Sequence, residues 1–260
     1  MFDLDPIIVT GAVQRIGTTL VQRLLCSDPG TLIFGEGVAT ELQAGVHLAA
    51  YRRITLEQRA AYHEELIADV LGGDVGRWIS DLSPPTAGWL ETLEGAALAA
   101  SRHCRDFAAA QGRPNWGCKL AGWSAQSVDS LLGMLPACRV VYLHRDLGDA
   151  LRSARAVDLV RDGEGVELFC RAWAEGEALR ARLAPEPRFL ALRYEELVAR
   201  PEVALQRLAD FAGAPGMDAG VLARRINVDR ADPRAESPGW VRPAQLSAAD
   251  QAIVARYAPS

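Results

Sequence analysis

Lysine is nearly absent from this chain: Lys119 stands alone among 28 basic side chains, and every other one is arginine. The Gly-containing loop near the start of the chain therefore has no lysine. That excludes the phosphate-binding loop of kinases and ATPases, which needs Lys and then Ser or Thr directly after its second glycine. Cysteine is also sparse. The five residues Cys26, Cys104, Cys118, Cys138 and Cys170 are odd in number and form no C-x-x-C pair. This argues against a disulfide framework or a structural zinc site and for reduced, buried thiols. The four histidines (His47, His63, His103 and His144) lack metal-ligand spacing, and His144 reads as a packed residue. No uncharged apolar run reaches the roughly 18 residues of a membrane span, and no basic-plus-apolar leader precedes the first apolar run. The expected location is the cytoplasm. An excess of positive charge is missing too, since the net charge is −5. Bulk binding to nucleic acid or an anionic membrane has no support, so any anion site must be local.

What is present is ordinary for a globular protein: 260 residues, 49% hydrophobic and 23% charged. That length buries a sizeable core, and without repeats, low-complexity tracts or linkers it reads as one domain, 1–260. Four short apolar runs, Ile7–Val9, Leu32–Phe34, Val140–Leu143 and Phe189–Tyr194, are bounded by Pro, Gly or charge and separated by helical sequence. This is the pattern of an α/β protein with a helix-covered parallel sheet. Helical periodicity is clearest over Glu57–Leu71, Glu91–Gln111, Gly165–Leu183 and Pro201–Ala212. The Gly/Pro/Trp-containing stretch Gly72–Trp89 reads as irregular, either a lid or a plain connection.

The opening segment carries the strongest signal. An apolar run, Ile7–Val9, enters the loop Gly11-Ala12-Val13-Gln14-Arg15-Ile16-Gly17, and an amphipathic helix leaves through Thr18-Thr19. A strand, a glycine-bracketed loop and a helix N-terminus together build an anion site. Loop N–H groups, the positive end of the helix dipole and the two hydroxyls all favour negative charge. Five residues separate Gly11 from Gly17, one too many for the kinase loop, and no glycine two residues after Gly11 supplies a dinucleotide fingerprint.

Polar residues recur at the ends of the other apolar runs: Glu36, Arg145 and Tyr194-Glu195-Glu196. Open parallel sheets bind ligands outside these carboxyl ends, so the residues point to one shared site. Arg145 leaves a strand, and Ser153 follows eight residues later on helical sequence. A guanidinium and a hydroxyl converging there suit a second phosphate, although an Arg145–Asp149 surface pair would explain the same spacing.

Taken in order from residue 6 to about 215, these segments resemble the sulfotransferases that use 3′-phosphoadenosine 5′-phosphosulfate (PAPS). Arg15-Ile16-Gly17-Thr18-Thr19 is similar to their phosphosulfate loop, where Ser usually stands in place of Ile16. Arg145 with Ser153 is similar to their 3′-phosphate motif, and Leu192-Arg193-Tyr194-Glu195-Glu196-Leu197 to their Arg-Tyr-Glu-x-Leu segment. The bacterial and tyrosylprotein branch looks nearest, because Glu36 lies 21 residues after Arg15.

The resemblance implies a P-loop-like three-layer fold with a central, mostly parallel sheet flanked by helices. It implies PAPS as co-substrate, no metal, and a small-molecule hydroxyl as acceptor. Arg15, Gly17, Thr18 and Thr19 would then hold the 5′-phosphosulfate, and Arg145 and Ser153 the 3′-phosphate. Tyr194 and Arg242 would flank the nucleotide. Glu36 would act as general base in an enclosed, desolvated setting, and Lys119 would stabilise the transferring group. Residues 37–114 would form a helical acceptor-binding region containing Tyr51, Tyr62, Trp78 and Trp89, and 226–245 a tail closing over the cofactor. Two alternatives stay open: an ATP-dependent small-molecule kinase, and a non-catalytic nucleotide-binding protein of the same fold. Ile16, a loop hydroxyl lost, is the best support for the second.

Overall fold

Each of the four apolar runs forms a strand, and a fifth strand lies among them. The computed structural model describes residues 4–76, 78, 82–224, 226 and 245–258. In chain order, the first half comprises β1 (Ile7–Gly11), α1 (Thr18–Ser27), β2 (Thr31–Phe34), α2 (Glu36–Glu57), α3 (Ala60–Leu71), α4 (Thr86–Ala97) and α5 (Ala99–Ala110). There follow β3 (Asn115–Lys119), α6 (Ala125–Met134), β4 (Arg139–His144), α7 (Leu147–Arg155), α8 (Gly163–Leu183) and β5 (Phe189–Arg193). The chain ends with α9 (Tyr194–Ala199), α10 (Pro201–Ala212), a 3₁₀ turn (Ala219–Ala223) and α11 (Ala248–Tyr257).

The strands form one sheet in the order β2-β3-β1-β4-β5, and every pairing is parallel. β1 sits at the centre and is buried along its whole length. Successive side chains of a strand point to opposite faces, so each strand feeds two cores. Ile7, Val9, Val141, Leu143 and Leu192 meet α1, α7, α10 and the first half of α8 on one face. Ile8, Trp116, Cys118, Val140, Tyr142 and Phe189 meet α2, α5, α6 and the end of α8 on the other. This is the expected three-layer α/β arrangement. Each fully buried aliphatic side chain contributes on the order of 2 kcal/mol. All five cysteines are free; Cys118, Cys138 and Cys170 are buried, and Cys26 and Cys104 half-buried.

Local chemistry sets several of the helix ends. Ser124, Asp162 and Ser247 accept hydrogen bonds from N–H groups three residues on, capping α6, α8 and α11. Pro201 opens α10, and Gly213, at φ 67°, closes it in the left-handed conformation.

Three departures from the sequence reading matter. β3 was not expected as a strand. Its Gly117 lies across Ile7, where an added Cβ would overlap the Ile7 carbonyl, so a glycine that reads as a strand breaker is what permits close pairing. The helix expected over 91–111 is two helices, broken at Leu98 where α2 crosses; Gly45 of α2 leaves room for the freed Ala97 carbonyl. The helix expected over 57–71 is α3 alone, and the long α2 before it begins at Glu36.

Candidate functional site

The loop between β1 and α1 takes its shape from two left-handed residues. Gly17 has φ 104° and Arg15 has φ 68°. Glycine visits this region freely, whereas a side-chain-bearing residue there costs roughly 1–2 kcal/mol. Between the two, Ile16 is turned into the core at 1% exposure. Gly11 makes that possible, since a Cβ there would overlap Ile16 Cδ1 and the Leu143 carbonyl. The sequence reading places Ile16 in the anion cradle as a missing hydroxyl. Instead its side chain anchors the loop from below and takes nothing from the cradle. α1 then begins at Thr18, which is buried, with Thr19 half-buried beside it. The first-turn N–H groups of such a helix have no intrahelical acceptor and face outward from its N-terminus.

Arg15, Gly17, Ser153, Arg145 and Tyr194 come together around this loop. Arg15 Nε donates to Ser153 Oγ at 3.2 Å. Arg145 Nη1 donates to the Arg15 carbonyl at 3.0 Å, tying the end of β4 to the loop after β1. The Arg145 guanidinium lies over the Tyr194 ring, 4.3 Å from its centroid, a cation–π stack. Gly17 lies against the same ring: an added Cβ there would sit 2.6 Å from Tyr194 Cδ2. The alternative pairing of Arg145 with Asp149 is not formed; Asp149 pairs with Arg152. Arg145 Nε is buried and has no hydrogen-bond partner among the described residues.

One residue of this cluster escaped the sequence reading. Trp173 of α8 donates its indole Nε1–H to the Arg145 carbonyl at 2.9 Å. Its only trace in the sequence is an apolar position in a periodic helix, which by itself signals core.

The second group lies one strand away. Lys119 ends β3, and Glu36 opens α2 directly after β2, the neighbouring strand. Lys119 Nζ reaches Glu36 Oε1 at 2.7 Å. The lysine is buried, but the glutamate side chain is 59% exposed. The enclosed, desolvated Glu36 expected from the sequence is therefore not observed. It stands on the first turn of α2, and its carboxylate faces outward with one oxygen unengaged by Lys119.

The other strand-end acids serve the frame. Glu195 accepts from the Asp146 N–H and from Arg193 Nε, each at 3.0 Å, bracing the start of α7. Burial pushes its carboxyl up, but these hydrogen bonds outweigh that and hold it below the ordinary carboxylate value. Glu196 pairs with Arg207. His144, at the end of β4, is partly buried against Glu177, and burial lowers its pKa. Arg242, together with all of the expected closing tail except Ile226 and Gln245, lies outside the described residues. Of the aromatics expected in the acceptor region, Tyr51 (66%), Trp78 (81%) and Tyr62 are exposed, and Trp89 is half-buried.

A family model described as the sulfotransferase family matches residues 6–218. No curated protein matches. Among solved structures, the sulfotransferase STF1 of Mycobacterium tuberculosis H37Rv is 20% identical at TM-score 0.46, with 84% of this chain and 70% of that one covered. The sulfotransferase domain of the Synechococcus PCC 7002 olefin synthase is 16% identical at TM-score 0.49, covering 98% and 94%. The sulfotransferase STF9 of Mycobacterium avium is 17% identical at TM-score 0.41, covering 86% and 67%.

Proposed function

The chain belongs to the sulfotransferase family, and from that premise we propose that it moves a sulfuryl group from PAPS to a hydroxyl of a small-molecule acceptor. The observation that carries this reading is the 2.7 Å contact between Lys119 and Glu36 beside a two-arginine anion cradle. A carboxylate that can accept a proton and a buried cation beside it, next to donors suited to a doubly phosphorylated nucleotide, support this reading. The buried, unpartnered Nε–H of Arg145 supports the fit, because it is a donor that a phosphate oxygen would satisfy.

In this reading the loop N–H groups, Arg15, Thr18 and Thr19 hold the 5′-phosphosulfate, and Arg145 and Ser153 hold the 3′-phosphate. Tyr194 packs under Arg145 and fixes its plane. PAPS supplies the sulfuryl group when bound, and adenosine 3′,5′-bisphosphate is what remains of it. Glu36 accepts the proton of the acceptor hydroxyl as that oxygen becomes the nucleophile. Lys119 orients Glu36 beforehand and stabilises negative charge on the departing side. Fixed protein cations so do the neutralising work that Mg²⁺ does in phosphoryl transfer.

Ile16, the residue that speaks for a non-catalytic relative, faces the core and leaves the cradle donors in place. The kinase alternative has no observation in its favour. Thermal denaturation distinguishes the readings. Adenosine 3′,5′-bisphosphate in about hundredfold excess over its Kd should add roughly 2.7 kcal/mol and raise Tm by several degrees, whereas ATP with Mg²⁺ should not. The reverse result excludes PAPS as donor.

A further inference from the structure

Helix α8 makes two close contacts with the anion cradle, one helical turn apart. At Gly176 it presses against the loop, where an added Cβ would overlap the Ala12 Cβ and the Tyr142 hydroxyl. Three residues earlier, and so on the same face of the helix, Trp173 is buried with its indole N–H 2.9 Å from the Arg145 carbonyl. Arg145 is thus held at three points: its carbonyl by Trp173, its ring-facing side by Tyr194 and its Nη1 by the Arg15 carbonyl. Among the donors these contacts leave free is its buried Nε–H, which has no partner among the described residues.

We propose that Trp173 is a positioning residue for 3′-phosphate recognition: through the Arg145 carbonyl it sets where the guanidinium stands and so aims the unpartnered Nε–H at that phosphate. This rests on the reading of Arg145 given above. Trp173 touches no part of the nucleotide. It acts by fixing the backbone from which Arg145 projects, at the junction where β4 ends and α7 begins. Gly176 is the spacing condition, since the indole reaches the carbonyl only while α8 lies this close to Ala12. A tryptophan that served packing alone would lend stability without distinguishing one nucleotide from another. A tryptophan that aims Arg145 must matter more for a ligand carrying a 3′-phosphate than for one without it.

Isothermal titration of adenosine 3′,5′-bisphosphate and adenosine 5′-phosphate tests this in wild type and Trp173→Phe, which keeps a ring and removes the N–H. Loss of one buried hydrogen bond predicts about tenfold weaker binding of the bisphosphate, with the 5′-phosphate within about twofold of wild type. If the preference for the bisphosphate survives in the variant, whether both affinities fall together or neither falls, the inference is overturned.

A measurement on ¹⁵N-labelled wild type covers a variant that fails to fold. The Trp173 indole N–H resonance should move on titration with the bisphosphate and stay in place with the 5′-phosphate. A resonance that responds to both or to neither refutes the proposal. Wild-type protein that binds both nucleotides equally removes the role given to Arg145, and this inference with it. Wild type that binds neither removes the PAPS reading itself.

Discussion

Two halves of the strand-end edge differ in how much is assembled before anything binds. Around Arg145 a network of contacts is in place before anything binds, and its buried Nε–H is unpartnered among the described residues. Ser153, Tyr194, Trp173 and the Arg15 carbonyl interlock across the loop after β1, the end of β4, α7, α8 and α9. Among the described residues the Glu36 carboxylate is paired with Lys119 alone, and beyond it α2 and α3 carry Tyr51, Ile54 and Leu71 on their outer surface, with Trp78 following. The first half has the character of a preformed site, whose ordering cost is met during folding and not on binding. The second is a set of helices with uncommitted apolar surface. On the proposed reading, the nucleotide half is built for one ligand, while the acceptor half leaves its shape to be set by what binds. The two halves should therefore answer differently to mutation.

The largest expected effect falls on the acceptor half and on turnover alone. Glu36→Gln keeps the size of the side chain and its position on α2 but cannot accept the acceptor proton. Loss of a general base lowers kcat by about 10²–10⁴-fold. Affinity for adenosine 3′,5′-bisphosphate should stay within about twofold, because none of the contacts around Arg145 includes Glu36. Steady-state rates and titration calorimetry on the same preparation check both parts. Turnover near wild type would remove Glu36 as the base. A parallel loss of nucleotide affinity would show that the two halves are not separate.

A pair of glycines gives the same contrast in stability. Gly17 of the nucleotide half has φ 104°, and an added Cβ would lie 2.6 Å from the Tyr194 ring. Gly37 of the acceptor half lies inside α2 with nothing within 4 Å of an added Cβ. Gly17→Ala should cost about 2 kcal/mol from the left-handed backbone and the displaced ring. It should weaken nucleotide binding as well. Gly37→Ala should be stabilising by up to about 1 kcal/mol, the helix preference of alanine over glycine, with binding unchanged. Denaturant unfolding resolves the difference in sign. Equal costs at the two sites would erase the contrast.

The nucleotide half was also the more legible in sequence. Its residues sit where apolar runs end, and Arg15, Arg145, Ser153 and Tyr194 carry chemistry that a core does not need, so type and position agree. What stayed hidden depended on partners distant in sequence. Gly117 reads as a strand breaker until Ile7 is placed beside it, and β3 was missed for that reason. Ile16 reads as a defect in the cradle, because nothing local reveals that the left-handed turns on either side rotate it into the core. Trp173 looks like any buried aromatic until its N–H finds a carbonyl 28 positions away. In the acceptor half, Ala39, Leu42, Val46 and Ala49 do repeat at helical spacing. Their small size and the polar residues between them made that signal faint. The exposure of Glu36 could not be read at all, since it depends on how α2 packs on the sheet after β2.

The smallest predicted effect is a pH dependence belonging to the nucleotide half. His144 directly precedes Arg145 and faces Glu177, Arg180, Arg193 and Glu195. Burial lowers its pKa; Glu177 opposes this, Arg180 and Arg193 add to it, and the net shift is downward. As the pH falls below about 6.5, the ordinary histidine value, the unfolded chain takes up this proton before the folded one. Stability held above that pH is therefore lost as the pH drops through the lower native value. His144→Gln cannot titrate, so its stability difference between pH 7.5 and 5.5 should be smaller than that of wild type by about 1 kcal/mol or less. Urea unfolding at the two pH values measures that difference. An identical pH slope in both proteins would mean that the buried end of β4 tolerates the charge, and that this half of the edge is more open to water than its contacts imply.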